Sequence, residues 1–277
     1  MTRSTLLWTL IATLGLLLAA PAAARAQSAQ SDDPGALKLA EPDFTLVTLP
    51  TALRLPTYGS AFRVTHRFLR PLGSGDFGDL VSDLFGIDSG AQIGLEYRFG
   101  IIKNGQIGLH RTSNRTIEFF GQYDIIRQGT KLPFDVSALA TIDGTNNFKD
   151  SYSPGLGLIV SRTVGNTAAF YVEPIWVNNT NALPKEIVDH NSTFMIGLGT
   201  RVRIRPTVYV VAEVSPRVSG YKPGGNQGSI AIEKRVGGHA FQLNFSNNFG
   251  TTLGQIARGG SGQNDWYMGF NISRKFF

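Results

Sequence analysis

The strongest constraint in this sequence is an alternation of apolar and polar residues that recurs from about Ala61 to the C-terminus. It runs in segments of roughly 8 to 11 residues bounded by Gly, Asn, Pro or Asp clusters. Successive side chains of a β-strand point to opposite faces, so a period of two sorts two classes of residue onto two surfaces. In the clearest segment Ala91, Ile93, Leu95, Tyr97 and Phe99 take one parity, and Gln92, Gly94, Glu96 and Arg98 take the other. Segments begin near Ala61, Ala91, Gln106, Arg115, Phe134, Gly155, Ala168, Thr193, Thr207, Ser229, Ala240 and Trp266. The count of about twelve is even, as in single-chain bacterial barrels.

Beyond the N-terminal region no window approaches about 18 uninterrupted apolar residues, so a membrane-spanning helix is not available and any span must be built from strands. Period two alone also fits a secreted β-sandwich. The connections favour a barrel, because they alternate between short and long, as periplasmic turns and extracellular loops do. The short set contains Lys103-Asn104-Gly105, Val164-Gly165-Asn166, Arg205-Pro206 and Val236-Gly237-Gly238. The long set runs Gly73 to Ser89, Asp143 to Ser153, Asn178 to Asn191, Arg217 to Gly228 and Asn247 to Asp265. The Thr112-Ser113-Asn114 turn is shorter than its place requires. Tyr97, Phe99, Trp176 and Trp266 near strand ends fit an interfacial aromatic girdle.

The first residues read as a secretory signal: Arg3, an apolar run from Leu6 to Ala20, and the small-residue motif Ala24-Arg25-Ala26. The expected organisation is a signal peptide over 1–26, an extended periplasmic lead-in over 27–58 and an outer-membrane barrel over 59–277. The chain has no cysteine, which excludes disulfides, thiolate metal sites and a Cys nucleophile. The net charge of +6 falls to +4 without Arg3 and Arg25 and forms no basic run, which argues against a nucleic-acid partner. The fold class expected is therefore all-β: an antiparallel transmembrane barrel of about twelve strands, with outer-membrane lipid against its apolar parity.

The polar parity would then line the lumen with Arg63, Arg67, Glu96, Arg98, Glu118, Asp124, Asp135, Glu173, Arg201, Arg203, Glu213, Glu233 and Arg235. Acids and bases are present in similar number, and interleaved Arg and Glu can neutralise one another and partly close the lumen. One long loop carries Phe77, Leu80, Val81, Leu84 and Phe85 at helical spacing, opposite Asp76, Asp79 and Asp83. This is a short amphipathic helix, expected either as a plug or lid at the mouth or as an element packed across the rim.

Three phrases, Phe85-Gly-Ile-Asp-Ser-Gly90, Gly237-Gly-His-Ala-Phe-Gln242 and Gly269-Phe-Asn-Ile-Ser-Arg274, resemble an uncharacterised family of bacterial outer-membrane β-barrels over about Leu46 to the C-terminus. The resemblance implies the barrel fold and carries no activity or catalytic residue. The last strand resembles the aromatic-terminated insertion signal recognised by the barrel assembly machinery. It departs from that pattern because the parity of Trp266, Met268, Phe270 and Ile272 leads to Phe276 rather than the terminal Phe277.

The leading functional expectation is a passive channel or transporter for small polar solutes; the second is a mostly closed barrel acting through its outer loops. Lipid hydrolysis is a weak third. His110 and Ser113, three residues apart, fall on opposite faces of a strand, and His190-Asn191-Ser192 lies at a loop edge. Gly155-Leu-Gly157 and Gly197-Leu-Gly199 sit inside strands with no following helix, so they are not phosphate loops. The four histidines have no ligand spacing, and neither a metal nor a cofactor is expected.

Overall fold

The computed structural model describes residues 39–260 and 265–277; the expected signal peptide over 1–26 and the first part of the lead-in lie outside the described residues. Strands β1 (Ser60–Phe68), β2 (Ala91–Ile102), β3 (Gly105–Thr112), β4 (Ile117–Ile126), β5 (Asp135–Gly144), β6 (Asp150–Val164), β7 (Ala168–Asn178) and β8 (Ser192–Arg205) pair in sequence order. Next come β9 (Val208–Ser215), β10 (Arg217–Gly220), β11 (Gln227–Val236), β12 (His239–Ser246) and β13 (Tyr267–Phe276). Both β9 and β10 pair with β8 on either side of Pro216, so they are two parts of one wall strand. The first strand pairs with β2 and with β13, which closes an antiparallel barrel of twelve wall strands with no free edge.

Turn chemistry fixes the register at the end that holds both ends of the wall. Asn104, Gly165 and Gly237 have φ of 67°, 54° and 57°, the left-handed conformation that tight hairpin connections require. Two of the expected long loops shrink. The β5–β6 connection is only residues 145–149, because Asn146 and Asn147 take φ of 50° and 61° and reverse the chain within one turn. The stretch from Arg217 begins as strand β10 rather than as loop.

Burial follows parity with the sense inverted relative to a water-soluble protein. Phe119, Tyr123, Leu156, Phe170 and Ile230 are exposed by 45%, 50%, 61%, 50% and 52%, while Glu96, Arg67, Glu173 and Arg201 are 5% exposed or less. A continuous apolar exterior around a charged interior is the signature of a barrel solvated by lipid. Among the described residues no helix is long and apolar enough to cross a membrane.

The amphipathic loop forms helix α1 (Phe77–Ser82), capped reciprocally by Asp76 and Asp79. It does not cover the mouth. Phe77, Val81 and Leu84 are exposed, Phe85 is half-buried, and within the stripe only Leu80 is buried. The chain turns back after α1 through positive φ at Leu84, Phe85 and Gly86, which lays the segment along the rim of β1. Arg70 pairs with Asp83 at 2.9 Å, and the Ser89 hydroxyl and Arg70 together hold the Asp83 carboxyl below its usual range.

The lead-in also departs from expectation. Every residue from Ala40 to Leu55 is buried except the half-buried Arg54, and the segment lies inside the barrel rather than in the periplasm. Its apolar side chains supply the reason. Leu46, Val47, Leu49 and Ala52 share one buried cluster with Ile159, Tyr171, Ile175, Met195 and Val211 of the wall, and each fully buried Leu contributes about 2 kcal/mol.

Candidate functional site: the occupied lumen

The lumen filler is a hairpin. Thr45 bridges Pro50, the Leu46 N–H donates to the Leu49 carbonyl at 2.8 Å, and the Thr51 N–H donates to the Phe44 carbonyl at 2.9 Å. Its tip is anchored by one carboxylate. Glu213 of β9 accepts the main-chain N–H groups of Val47, Thr48 and Leu49 at 3.0, 3.0 and 3.1 Å, and the Gln227 amide at 2.7 Å. Three consecutive amides converging on a carboxylate form an anion-binding nest.

The hairpin carbonyls are read by wall donors. Asn271 and Gln242 donate to Val47 and Leu46 at 2.9 and 3.0 Å, Arg201 to Thr45 at 2.6 Å, and Gln106 and Gln122 to Leu53 and Thr51, both at 3.1 Å. Lys275 donates to the Pro42 carbonyl, Tyr171 to the Glu41 carboxylate at 2.8 Å, and Ser273 to Asp43 at 2.7 Å. Arg54 pairs with Asp124 at 2.8 Å. A buried main chain without a ladder partner must have its polar groups satisfied in this way. Among the described residues no β-ladder joins the hairpin to the wall.

The two Gly-x-Gly phrases acquire a role here. A Cβ at Gly199 would fall on Leu46, and one at Gly197 would meet Leu49 at 3.0 Å, so the inward glycines of β8 leave the volume that the hairpin's leucines fill.

A second segment seals the opposite end. In the β12–β13 loop, helix α2 (Leu253–Ala257) is capped by Thr252 and buries Leu253, Ile256 and Ala257 in the same apolar cluster as the hairpin. Glu118 accepts the Leu253 N–H at 2.9 Å, while Asp143 takes the Thr252 hydroxyl at 2.9 Å and Arg258 at 3.3 Å. Among the described residues Arg217 of β10 has no carboxylate as a hydrogen-bond partner; its guanidinium donates to the carbonyls of Tyr221, Lys222, Pro223, Gly224, Gly225 and Arg258 at 2.8–3.4 Å. Arg217→Met leaves those carbonyls without their donor, at a cost of about 2–3 kcal/mol. The expected result is faster proteolysis within residues 221–226 with the barrel's heat-modifiable mobility retained.

Among the described residues, a cavity of about 30 Å³ lies beside the hairpin, lined by Thr45, Thr48, Arg63, Glu96, Arg98, His110, Glu118 and Thr251 among others. That is room for one or two waters. Arg63 binds Glu96 at 2.5 Å and the Thr45 hydroxyl at 2.7 Å; Arg98 reaches the same carboxylate at 2.8 Å and lies 4.5 Å from the Phe120 ring centroid.

Of the residues expected to line the lumen, Arg63, Arg67, Glu96, Arg98, Glu118, Asp124, Asp135, Glu173, Arg201, Glu213 and Glu233 are buried on the inner face. Arg203 and Arg235 are only half-buried, and Arg203 curls onto the Pro206 carbonyl at the rim. The charges do not interleave as expected: Glu118, Asp124, Asp135 and Glu173 form an acidic arc between β4 and β7, and the buried arginines expected in the lumen stand on β1, β2 and β8. His110 is buried facing the lumen, its Nδ1 3.9 Å from Glu118, whereas the Ser113 hydroxyl accepts the Ile93 N–H in the rim turn. The two are not brought together. Sequence reasoning missed Asp143, Arg217, Arg54 and Arg258. The first lies on the inward parity of β5, so strand pattern alone could have found it.

A closed ring of twelve strands, apolar outside and charged within, defines a membrane-bound β-barrel of porin-like fold. The chain belongs to the family described as "Membrane bound beta barrel domain (DUF5777)", which matches residues 44–276 and so includes the hairpin from Phe44 onward. Among solved structures, the KdgM porin in complex with disordered oligogalacturonate superposes with a TM-score of 0.52 at 6% identity, over 79% of this chain and 99% of its own. A triple mutant of the Rh. blastica porin matches at 13% identity over 67% of this chain and 55% of its own, with a TM-score of 0.36. No curated protein matches the sequence.

Proposed function

We propose that the protein is an outer-membrane channel for small polar solutes that its own N-terminal hairpin holds closed. The observation that carries this reading is the manner of attachment. The hairpin meets the wall through side chains and an ion pair rather than through strand pairing, so it can leave without breaking the barrel's ladder. The porin-like fold supports a polar passage once the hairpin is withdrawn. Export through cleavage after Ala26, a periplasmic side at the chain ends, and assembly through β13 with its terminal Phe277 complete the proposal. The porin-like fold favours transport, and His110 and Ser113 stand apart.

Single-channel recording on the purified full chain tests this: the expected trace is a closed baseline with brief openings. A steadily open current contradicts the closure. Complete silence at every voltage, for the wild type and for hairpin-loosened variants, leaves the second reading, a permanently closed barrel acting through its outer loops. That reading is favoured by α2, which seals the second end.

A further inference from the structure

The lumen wall is electrically lopsided. From β4 to β7 its inner face carries Glu118, Asp124, Asp135, Asp143 and Glu173, all buried. Among the described residues of β3 to β7 no Lys or Arg is buried; Arg111 and Arg162 are exposed on the outer parity. The bases stand elsewhere on the ring, with Arg63, Arg67 and Arg98 on β1 and β2 and Arg201 on β8.

Two cations reach the acidic arc from the segments that fill the lumen. Arg54 of the hairpin meets Asp124 at 2.8 Å, and Arg258 of the outer loop meets Asp143 at 3.3 Å. Glu173 is fully buried, and neither of its carboxylate oxygens has a hydrogen-bond partner. A buried carboxyl without a partner is costly, so Glu173, with no base on its own strand, is built to receive a cation from elsewhere, as Asp124 and Asp143 do. Among the described residues no three acidic or histidine side chains converge closely enough to hold a metal ion, which favours an organic cation.

We infer that this arc binds the cationic end of the solute, and that the solutes passed are zwitterionic: amino acids or short peptides, with the ammonium on β4 to β7 and the carboxylate on the arginines of β1 and β2. The inference rests on the gated-channel reading above. The hairpin already occupies the lumen in this manner. It is a peptide whose guanidinium sits on the acidic arc, whose carbonyls are read by wall amides, and whose Asp43 carboxylate is held by Ser273 on the far wall. Arginines suit the carboxylate end because their planar fork matches it. A neutral sugar leaves Glu173 without a cation, and an anion is repelled by the arc.

The test uses the full chain carrying Glu213→Gln, which loosens the hairpin tip, reconstituted in liposomes, with influx of L-lysine, succinate and sorbitol measured. L-lysine is expected to enter about tenfold faster than either of the others. Adding Asp124→Asn and Glu173→Gln is expected to bring L-lysine down to the sorbitol rate. Fluxes that follow size alone, or succinate in the lead, overturn the inference while leaving the gate intact. If this variant carries no KCl current, the gate itself fails, and calorimetric titration of L-lysine into the same protein in detergent decides the arc. Binding lost with Glu173→Gln supports the arc as a cation site, and no binding overturns it.

Discussion

Glu213→Gln is expected to convert a mostly closed barrel into a conducting one. The wild-type carboxylate accepts three hairpin amides and the Gln227 amide through two oxygens. A carboxamide of the same shape keeps one acceptor and turns an N–H₂ donor toward groups that are themselves donors. Loss of charge-assisted bonds, with a buried donor left unpaired, costs about 3 kcal/mol, which is roughly two powers of ten in the docked-to-released ratio of the hairpin. The wall strand keeps its pairing with β8 and β11, so barrel assembly and heat-modifiable mobility should be unchanged. Planar-bilayer recording should show open probability rising by a large factor at constant unit conductance. An unchanged open probability would mean that the tip anchor does not control closure.

Gly199→Val attacks the same hairpin by volume rather than by charge. The inward face of β8 is open at this position because Leu46 fills the space, and a Cβ there coincides with the leucine side chain. Valine suits a strand and faces the lumen, so the wall itself loses nothing. Overfilling a packed site costs about 1–3 kcal/mol, borne here by the docked state alone. The variant should therefore show increased conductance together with faster proteolysis of residues 39–56. If the hairpin shifted to keep Leu46 buried, neither change would appear, and Leu46→Ala in the same chain would leave the Gly199→Val phenotype unaltered rather than relieving it.

The barrel was legible in the sequence because its physics is local: a pleat sets the period, and lipid demands one apolar parity. The tight turns were legible for the same reason, since Asn104, Gly165 and Gly237 announce a positive φ. The hairpin was not. It has no sustained period of two, and its main chain is satisfied by residues far along the chain, such as Glu213, Gln242 and Asn271, whose convergence follows only from closing the ring. Two clues were nevertheless present. The run Leu46 to Leu55 is too rich in leucine for a solvated linker, and Gly197 and Gly199 leave an inward face without side chains.

The charge grouping, by contrast, could have been read directly. Strands pair in sequence order, so Glu118, Asp124, Asp135, Asp143 and Glu173, on β4, β5 and β7, are consecutive among the inward charges along the chain and around the ring alike; weighing acids against bases as a total hid it. Neutralisation within the lumen therefore comes in part from Arg54 and Arg258, which belong to the segments that fill it. In the proposed gate, withdrawal of the hairpin would therefore expose Asp124 as it opened the passage, which couples closure to charge balance.

The central claim, that Phe44 to Leu53 occupies the lumen as a hydrogen-bonded hairpin, is tested most directly by amide hydrogen exchange on the full chain in lipid. The N–H groups of Val47, Thr48 and Leu49 point at a buried carboxylate, and those of Leu46 and Thr51 close the hairpin. The expected result is protection of this stretch far above that of the loop over 181–190, collapsing in the Glu213→Gln variant. Exchange of Val47 to Leu49 at the rate of an unstructured peptide in the wild-type protein would contradict the account.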